Sequence, residues 1–294
     1  MDLREAFHEM KENYIGFYRE LRQGVEFRDL LLMAVVPVVL TGVFLLPKSV
    51  QQGLILDFQN VSVFNLFSYG FVHRGPGHYA GNLVSYVTLA LPAYLLCVLG
   101  QEKRFFRYTW LSFVLLFPPV IALIELASPV SPSTTAGFSG VASAFLGFLA
   151  ISLVLFLCNR VSKEIQTAHA VVLYLVAAGI VSLTYSGVSG LTIGTFAATM
   201  LLVAFYVYRI GVEEVKRVFS DISVMQGHLE LVLFAFLFFL ASPTMIFPAN
   251  ISRAGGTVDI FAHYLGLTLG FFLPLIYLIY QNTDVERQLN LVKS

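Results

Sequence analysis

Eight stretches of this chain are each apolar over about the twenty residues a helix needs to cross roughly 30 Å of hydrocarbon. They lie near 30–47, 79–100, 105–127, 139–158, 168–187, 190–210, 229–248 and 259–280. Backbone in hydrocarbon must satisfy its own hydrogen bonds, so runs of this length commit the chain to helices. Only 12% of the residues are charged, about half the share of a soluble domain. The expected fold class is an all-α polytopic membrane protein with eight spans. One helix over 168–210 would be far too long for a bilayer, so Gly187-Val188-Ser189-Gly190 is predicted to turn the chain tightly.

Charge tests the count independently. Alternating sides from the N-terminus places fifteen of the eighteen Lys and Arg on the first side and only Lys48, Arg74 and Arg253 on the other. That bias assigns both termini to the cytoplasm by the positive-inside rule, and the cell membrane is the expected location. Seven or nine spans would scramble it. The formal net charge is zero, which gives no reason to expect a nucleic-acid partner. Cys97 and Cys158 lie in apolar runs and lack metal-ligand spacing, so neither a disulfide nor a metal site is expected.

Residues 1–28 place Leu3, Phe7, Met10, Tyr14, Phe17 and Leu21 on one helical face. This cytoplasmic segment reads as an amphipathic helix lying on the bilayer or on the protein, and not as a cleavable signal. Residues 29–281 form the transmembrane domain and 282–294 a cytoplasmic tail. The connection 48–78 is too apolar for a solvated loop yet is interrupted by Gln51, Gln52, Asp57, Gln59, Asn60 and Asn65. It reads as an external loop partly sunk in the outer leaflet.

The helices opening near 79, 139 and 259 all start on the external side, so their early residues share one depth. His78 and Asn82, preceded by His73, belong to the first, Ser139 to the second and His263 to the third. Polar groups at such depth face a bundle interior or a water-filled cavity. Serine needs a base, and histidine suits that role. His78 and Asn82 are four residues apart and share a helix face. With the Ser139 amide they can aim donors at a developing oxyanion. Gly266 and Gly270 follow His263, while Gly140, Ala144 and Gly147 follow Ser139. Two such small-residue ridges allow close helix approach.

The order His73-x4-His78-x3-Asn82, Gly137-x-Ser139-Gly140, then Ala262-His263-x2-Gly266-x3-Gly270 resembles the rhomboid intramembrane serine proteases. The resemblance covers roughly 30–158 and 229–280. It implies a rhomboid-like six-helix core with two additional transmembrane helices, the hairpin 168–210 being the insertion. It implies a Ser139–His263 dyad and an oxyanion site of His78, Asn82 and the Ser139 amide. It also implies a supporting role for His73 beside the first loop, and membrane-anchored protein substrates. No cofactor is implied. Where the family often has Trp-Arg in the first loop, this chain has Phe64-Asn65. Where many members stack a tyrosine on the catalytic histidine, it has Ser143, so another group must orient the imidazole. Leu229–Phe247 best fits the family's mobile fifth helix.

Blander readings stand beside these. Ser139 can be a helix-start serine, His263 a packing histidine, and His78 with Asn82 an interhelical stitch. Asp259, one turn before His263, can stabilise a helix start or orient the imidazole. Glu125 can snorkel or pair. His8, His169 and His228 fall on the cytoplasmic side and read as interfacial. Two other functions compete with proteolysis: a catalytically inactive rhomboid-like protein that binds transmembrane clients, and a small-solute transporter. A transporter would want a polar pathway at the midplane, whereas these polar groups share one outer layer. The sequence does not specify an oligomeric state.

Overall fold

The computed structural model describes residues 3–128, 133–185, 189–247, 252–253, 256–257 and 259–293. Gly187 and Val188 of the predicted turn lie outside them. Seven helices are long and apolar enough to cross a bilayer, and a bent pair makes the eighth. The single helices are α2 (Phe27–Leu45), α5 (Pro76–Leu99), α8 (Ser139–Arg160), α9 (Ala170–Tyr185, whose span begins in the 3-10 turn Thr167–His169), α10 (Gly190–Ile210), α12 (His228–Ile246) and α13 (Ile260–Lys293), with the short α11 (Val212–Ser223) between α10 and α12. The architecture is that of an all-α polytopic membrane protein.

The helices add detail to the sequence reading at three places. The window 105–127 is not one helix: α6 (Lys103–Leu115) and α7 (Phe117–Leu126) meet at 45°. Pro118 and Pro119 open α7 and cause the break, because proline lacks an N–H and its ring clashes with the preceding turn. Residues 282–293 of the tail are helical, since α13 continues unbroken to Lys293. The connection 48–78 carries structure of its own. It holds α3 (Lys48–Leu54), strand β1 (Leu56–Asp57), α4 (Val63–Ser68) and a 3-10 turn at Tyr69–Phe71.

Helix α8 is the axis of the bundle, buried from Gly140 through Phe156. Its tightest neighbour is α13. A side chain at Gly266 or Gly270 would run into the backbone of Gly140 or Ala144. A methyl at Gly147 would lie 2.6 Å from the Leu267 carbonyl oxygen. The two parallel helices are therefore in backbone contact over two turns, which only small residues permit. Helix α5 closes the other flank, where Tyr86 donates to the Met33 carbonyl (2.9 Å) and receives Trp110 Nε1–H (2.8 Å). The α9–α10 hairpin is peripheral. Tyr174 of α9 stacks on Phe271 of α13 and pairs with Thr268 at 3.1 Å.

At the end of the bundle opposite Ser139, α1 (Leu3–Gly24) rests on the protein through part of its predicted face. Phe17 packs edge-on against His228 at 4.9 Å, while Phe7 is 64% exposed. Asn13 Nδ2 donates to the Val224 carbonyl (3.1 Å) and to Gln226 Oε1 (2.6 Å), and the Tyr14 hydroxyl donates to Glu230. His228 is thus buried between Phe17 and Phe156, not merely interfacial. Nearby, buried Asp29 is met by Arg107 at 2.6 and 2.9 Å and by the Tyr94 hydroxyl at 2.9 Å. Glu26, paired with Lys103 and Arg107, has its carboxyl pKa pulled down to about 2.

Candidate active site

The local folding around Ser139 begins with a strand. β2 (Thr134–Thr135) pairs antiparallel with β1, Leu56 facing Thr135 and Asp57 facing Thr134. The first long loop is thereby stitched to the segment that leads into α8. Arg74 adds bonds from its guanidinium to the Thr134 carbonyl (3.2 Å) and hydroxyl (2.9 Å). Asn65 does internal work in the loop: its Nδ2 donates to the Ile55 carbonyl at 2.6 Å and its Oδ1 accepts from the Ser62 hydroxyl at 2.5 Å. The Phe64-Asn65 departure therefore leaves the loop anchored, by Asn65 within it and by the strand pair beyond it.

After β2 the chain turns through Gly137 at φ +135°, a conformation that L side chains rarely adopt. The Gly137 amide donates to the Tyr69 carbonyl at 3.0 Å. A methyl at Gly137 would lie 2.6 Å from His78 Cε1 and 3.7 Å from Asn82 Nδ2. The His78 ring and the Asn82 amide thus close directly over the backbone that introduces Ser139. Phe138, fully buried against Phe71 and Tyr86, pins the turn from behind. Ser139 is then the half-buried first residue of α8. Its amide is one of the N–H groups a helix start leaves without an intrahelical acceptor.

His263 comes to the same level through the α8–α13 seam. A methyl at Gly140 would sit 3.4 Å from the Ala262 carbonyl oxygen, and Gly266 abuts the Gly140 carbonyl. Those contacts bracket His263 on one helix and adjoin Ser139 on the other. His263 is 4% exposed, and Phe247 stands edge-on to its ring at 5.6 Å and 89°. Ser143 turns its hydroxyl back to the Ser139 carbonyl at 2.8 Å. The aromatic neighbour of the imidazole is therefore Phe247, at the end of α12, and not a residue of α8. Nothing in the sequence pattern marks Phe247 for this position.

Asn82 is buried, and its Nδ2 donates to no protein atom among the described residues. A buried amide donor left open in this way is costly unless something is to be bound there. His73 is fully buried, packed edge-on against His78 at 5.0 Å and Tyr79 at 5.9 Å. Burial, followed by the neighbouring His78, lowers the His73 imidazole pKa to about 3. It is a neutral wedge behind His78 rather than a proton carrier at ordinary pH. Asp259 caps α13, its Oδ1 accepting the Ala262 amide at 3.2 Å, which is the helix-stabilising reading of that residue. Glu125 does not snorkel: it is fully buried in the last turn of α7.

The structure thus brings His73, His78, Asn82, Gly137, Ser139, Gly140, His263, Gly266 and Gly270 to one end of the bundle. No family model matches the chain, and no curated protein or solved structure matches it.

Proposed function

We propose that this protein is an intramembrane serine endopeptidase of the rhomboid type, cleaving membrane-anchored proteins in or near their transmembrane segments. The observation that carries this reading is the convergence of Ser139 and His263 across a backbone-contact seam. The His78 ring and the Asn82 amide, whose Nδ2 has no protein acceptor among the described residues, stand over the turn before the serine. In this reading Ser139 Oγ attacks the scissile carbonyl carbon as His263 takes its proton. The carbonyl oxygen becomes an oxyanion held by His78, Asn82 and the Ser139 amide, the term that contributes most to acyl transfer. His263 then gives the proton to the leaving amine, and the carbon–nitrogen bond breaks to leave an acyl-serine. Water, deprotonated by His263, releases the second product and restores the serine.

Counted as one span, the bent α6–α7 pair gives eight spans; an even count together with the charge bias supports a reading with both termini in the cytoplasm and the site facing outward. The α9–α10 hairpin is then an insertion on a six-helix core. Exposed Val63 and Phe64 in the first loop suit contact with lipid.

The decisive experiment is cleavage of a tagged single-span substrate in mild detergent by the parent, Ser139→Ala and His263→Ala. Cleavage by the parent alone is the expected result. No cleavage by any of the three, with no labelling of the parent by a serine-reactive fluorophosphonate, would overturn the reading in favour of a client-binding protein.

A further inference from the structure

We propose that α1 seats its exposed apolar face in an anionic phospholipid leaflet, with its basic side chains on the lipid phosphates; this does not depend on the protease reading above. The contacts of α1, taken backwards from its end, fix its course. The Gly24 carbonyl accepts Lys103 Nζ at 3.0 Å, and Gly24 itself lies against Val98 at the end of α5. Glu20 pairs with Arg160, in the last turn of α8, at 2.6 Å. Phe17 meets His228, the first residue of α12, and Asn13 bonds to Gln226 just before it. Helices α5 and α8 end here and α12 begins here, so α1 runs across the ends of three spans. Spans end where hydrocarbon gives way to headgroups, which sets the depth of α1. Beyond Asn13 the helix continues through residues 3–12, roughly 15 Å at the rise of an α-helix.

The side of α1 turned away from these contacts is apolar. Phe7, Met10, Lys11, Tyr14, Ile15 and Tyr18 line one continuous shallow hollow, and Phe7 and Tyr18 are 64% and 68% exposed. A contiguous apolar patch of this kind marks an interaction site, and the placing of charge says with what. Lys11 lies within the face, and exposed Arg22 continues it toward Gly24. The helical period puts Glu5, Glu9 and Glu12 on the opposite side. A helix lying in a membrane surface has this make-up: apolar groups sink below the headgroups, Lys and Arg reach up to phosphates, and acids face water. Anionic lipid attracts such Lys and Arg. The patch also stands at the depth where the bilayer itself offers apolar surface. Helix α1 then has two partners at once, protein through Asn13, Phe17 and Glu20, and lipid through Phe7, Lys11 and Tyr18.

Photocrosslinking identifies the occupant. Full-length protein carrying Phe7→benzoylphenylalanine, Tyr18→benzoylphenylalanine or, on the acidic side, Glu12→benzoylphenylalanine is placed in nanodiscs of phosphatidylcholine and phosphatidylglycerol. The adducts formed on irradiation are weighed by mass spectrometry. Phospholipid adducts are expected at positions 7 and 18, at least about fivefold above position 12, with phosphatidylglycerol enriched about twofold over its share of the bilayer. Lys11→Glu combined with Arg22→Glu should abolish that enrichment. All of these positions are exposed, so the docking of Phe17 and Asn13 is left in place, and either of positions 7 and 18 suffices if the other variant does not fold. Lipid adducts no more frequent there than at position 12 would overturn the inference. So would adducts to a second copy of the chain, or phosphatidylglycerol captured only in proportion to its share.

Discussion

Helices α8 and α10 are nearly equal in length, 22 and 21 residues, and both pass for membrane spans. Yet 89% of the apolar window of α8 is buried inside the protein, against 11% for α10. Both also carry small residues at four-residue spacing: Gly140 and Ala144 in one, Gly190 and Gly194 in the other. A methyl at Gly190 or Gly194 would meet nothing within 4 Å, whereas Gly140 and Gly147 face the backbone of α13. A small-residue ridge makes a seam only where the partner helix carries one too, as α13 does with Gly266 and Gly270. Hydrophobic length sets whether a helix crosses, and the matching of small faces sets where in the bundle it sits.

The sharpest way to break this contrast is one bulky side chain on each helix system. Gly266→Leu drives a side chain into the Gly140 carbonyl. It should cost at least the upper part of the about 1–3 kcal/mol typical of overpacking, read as a fall in unfolding temperature in detergent, together with loss of serine labelling.

Acid provides a second, graded comparison. His73 sits fully buried at the Ser139 end with its pKa lowered from the ordinary 6.5 to about 3, while the only histidine of the hairpin, His169, is half-exposed at its opening turn. Above pH 6.5 the imidazole is neutral in both folded and unfolded chains, so its burial carries no protonation cost. Below 6.5 the unfolded chain takes up a proton that the folded site refuses, and stability falls until about pH 3. Amide exchange should therefore accelerate around α5 and the first loop as pH drops through that window, ahead of the α9–α10 hairpin. His73→Phe should flatten the response.

Smaller effects sharpen the border between the two regions. Tyr174→Phe removes the bond to Thr268 that ties α9 to α13 and should cost about 0.6 kcal/mol, the usual size of a side-chain bond between membrane helices. Gly194→Leu, the counterpart of Gly266→Leu on α10, should change the unfolding free energy by less than about 0.5 kcal/mol. An effect as large as that of Gly266→Leu would show that α10 is packed against something after all.

Much of this was legible in the chain. Apolar length gave the spans, and the serine, histidine and asparagine positions read out the site end because helix parity alone puts 78, 139 and 263 at one depth. The small ridges of α8 and α13 were readable for the same reason, since spacing along a helix determines its face. What escaped were features that depend on which elements touch. Phe247 meets His263 only after α12 has returned to the site end, and Thr135 meets Asp259 across 124 positions. The two-residue strands β1 and β2 are too short to have a pattern. The break at Leu116 was within reach, because Pro118-Pro119 stood in plain view inside an apolar run whose length concealed it.

The contacts of α1 have a consequence for how the molecule is made. Asn13 bonds to Gln226 across a separation of 213 residues, so the first helix to leave the ribosome gains its partner only after six intervening spans have been delivered to the bilayer. Until then Asn13 and Tyr14 lack their partners Gln226 and Glu230. Contacts closed over such a distance form late. The docking of α1 on α12 is therefore open only to a chain whose first six spans have already been delivered.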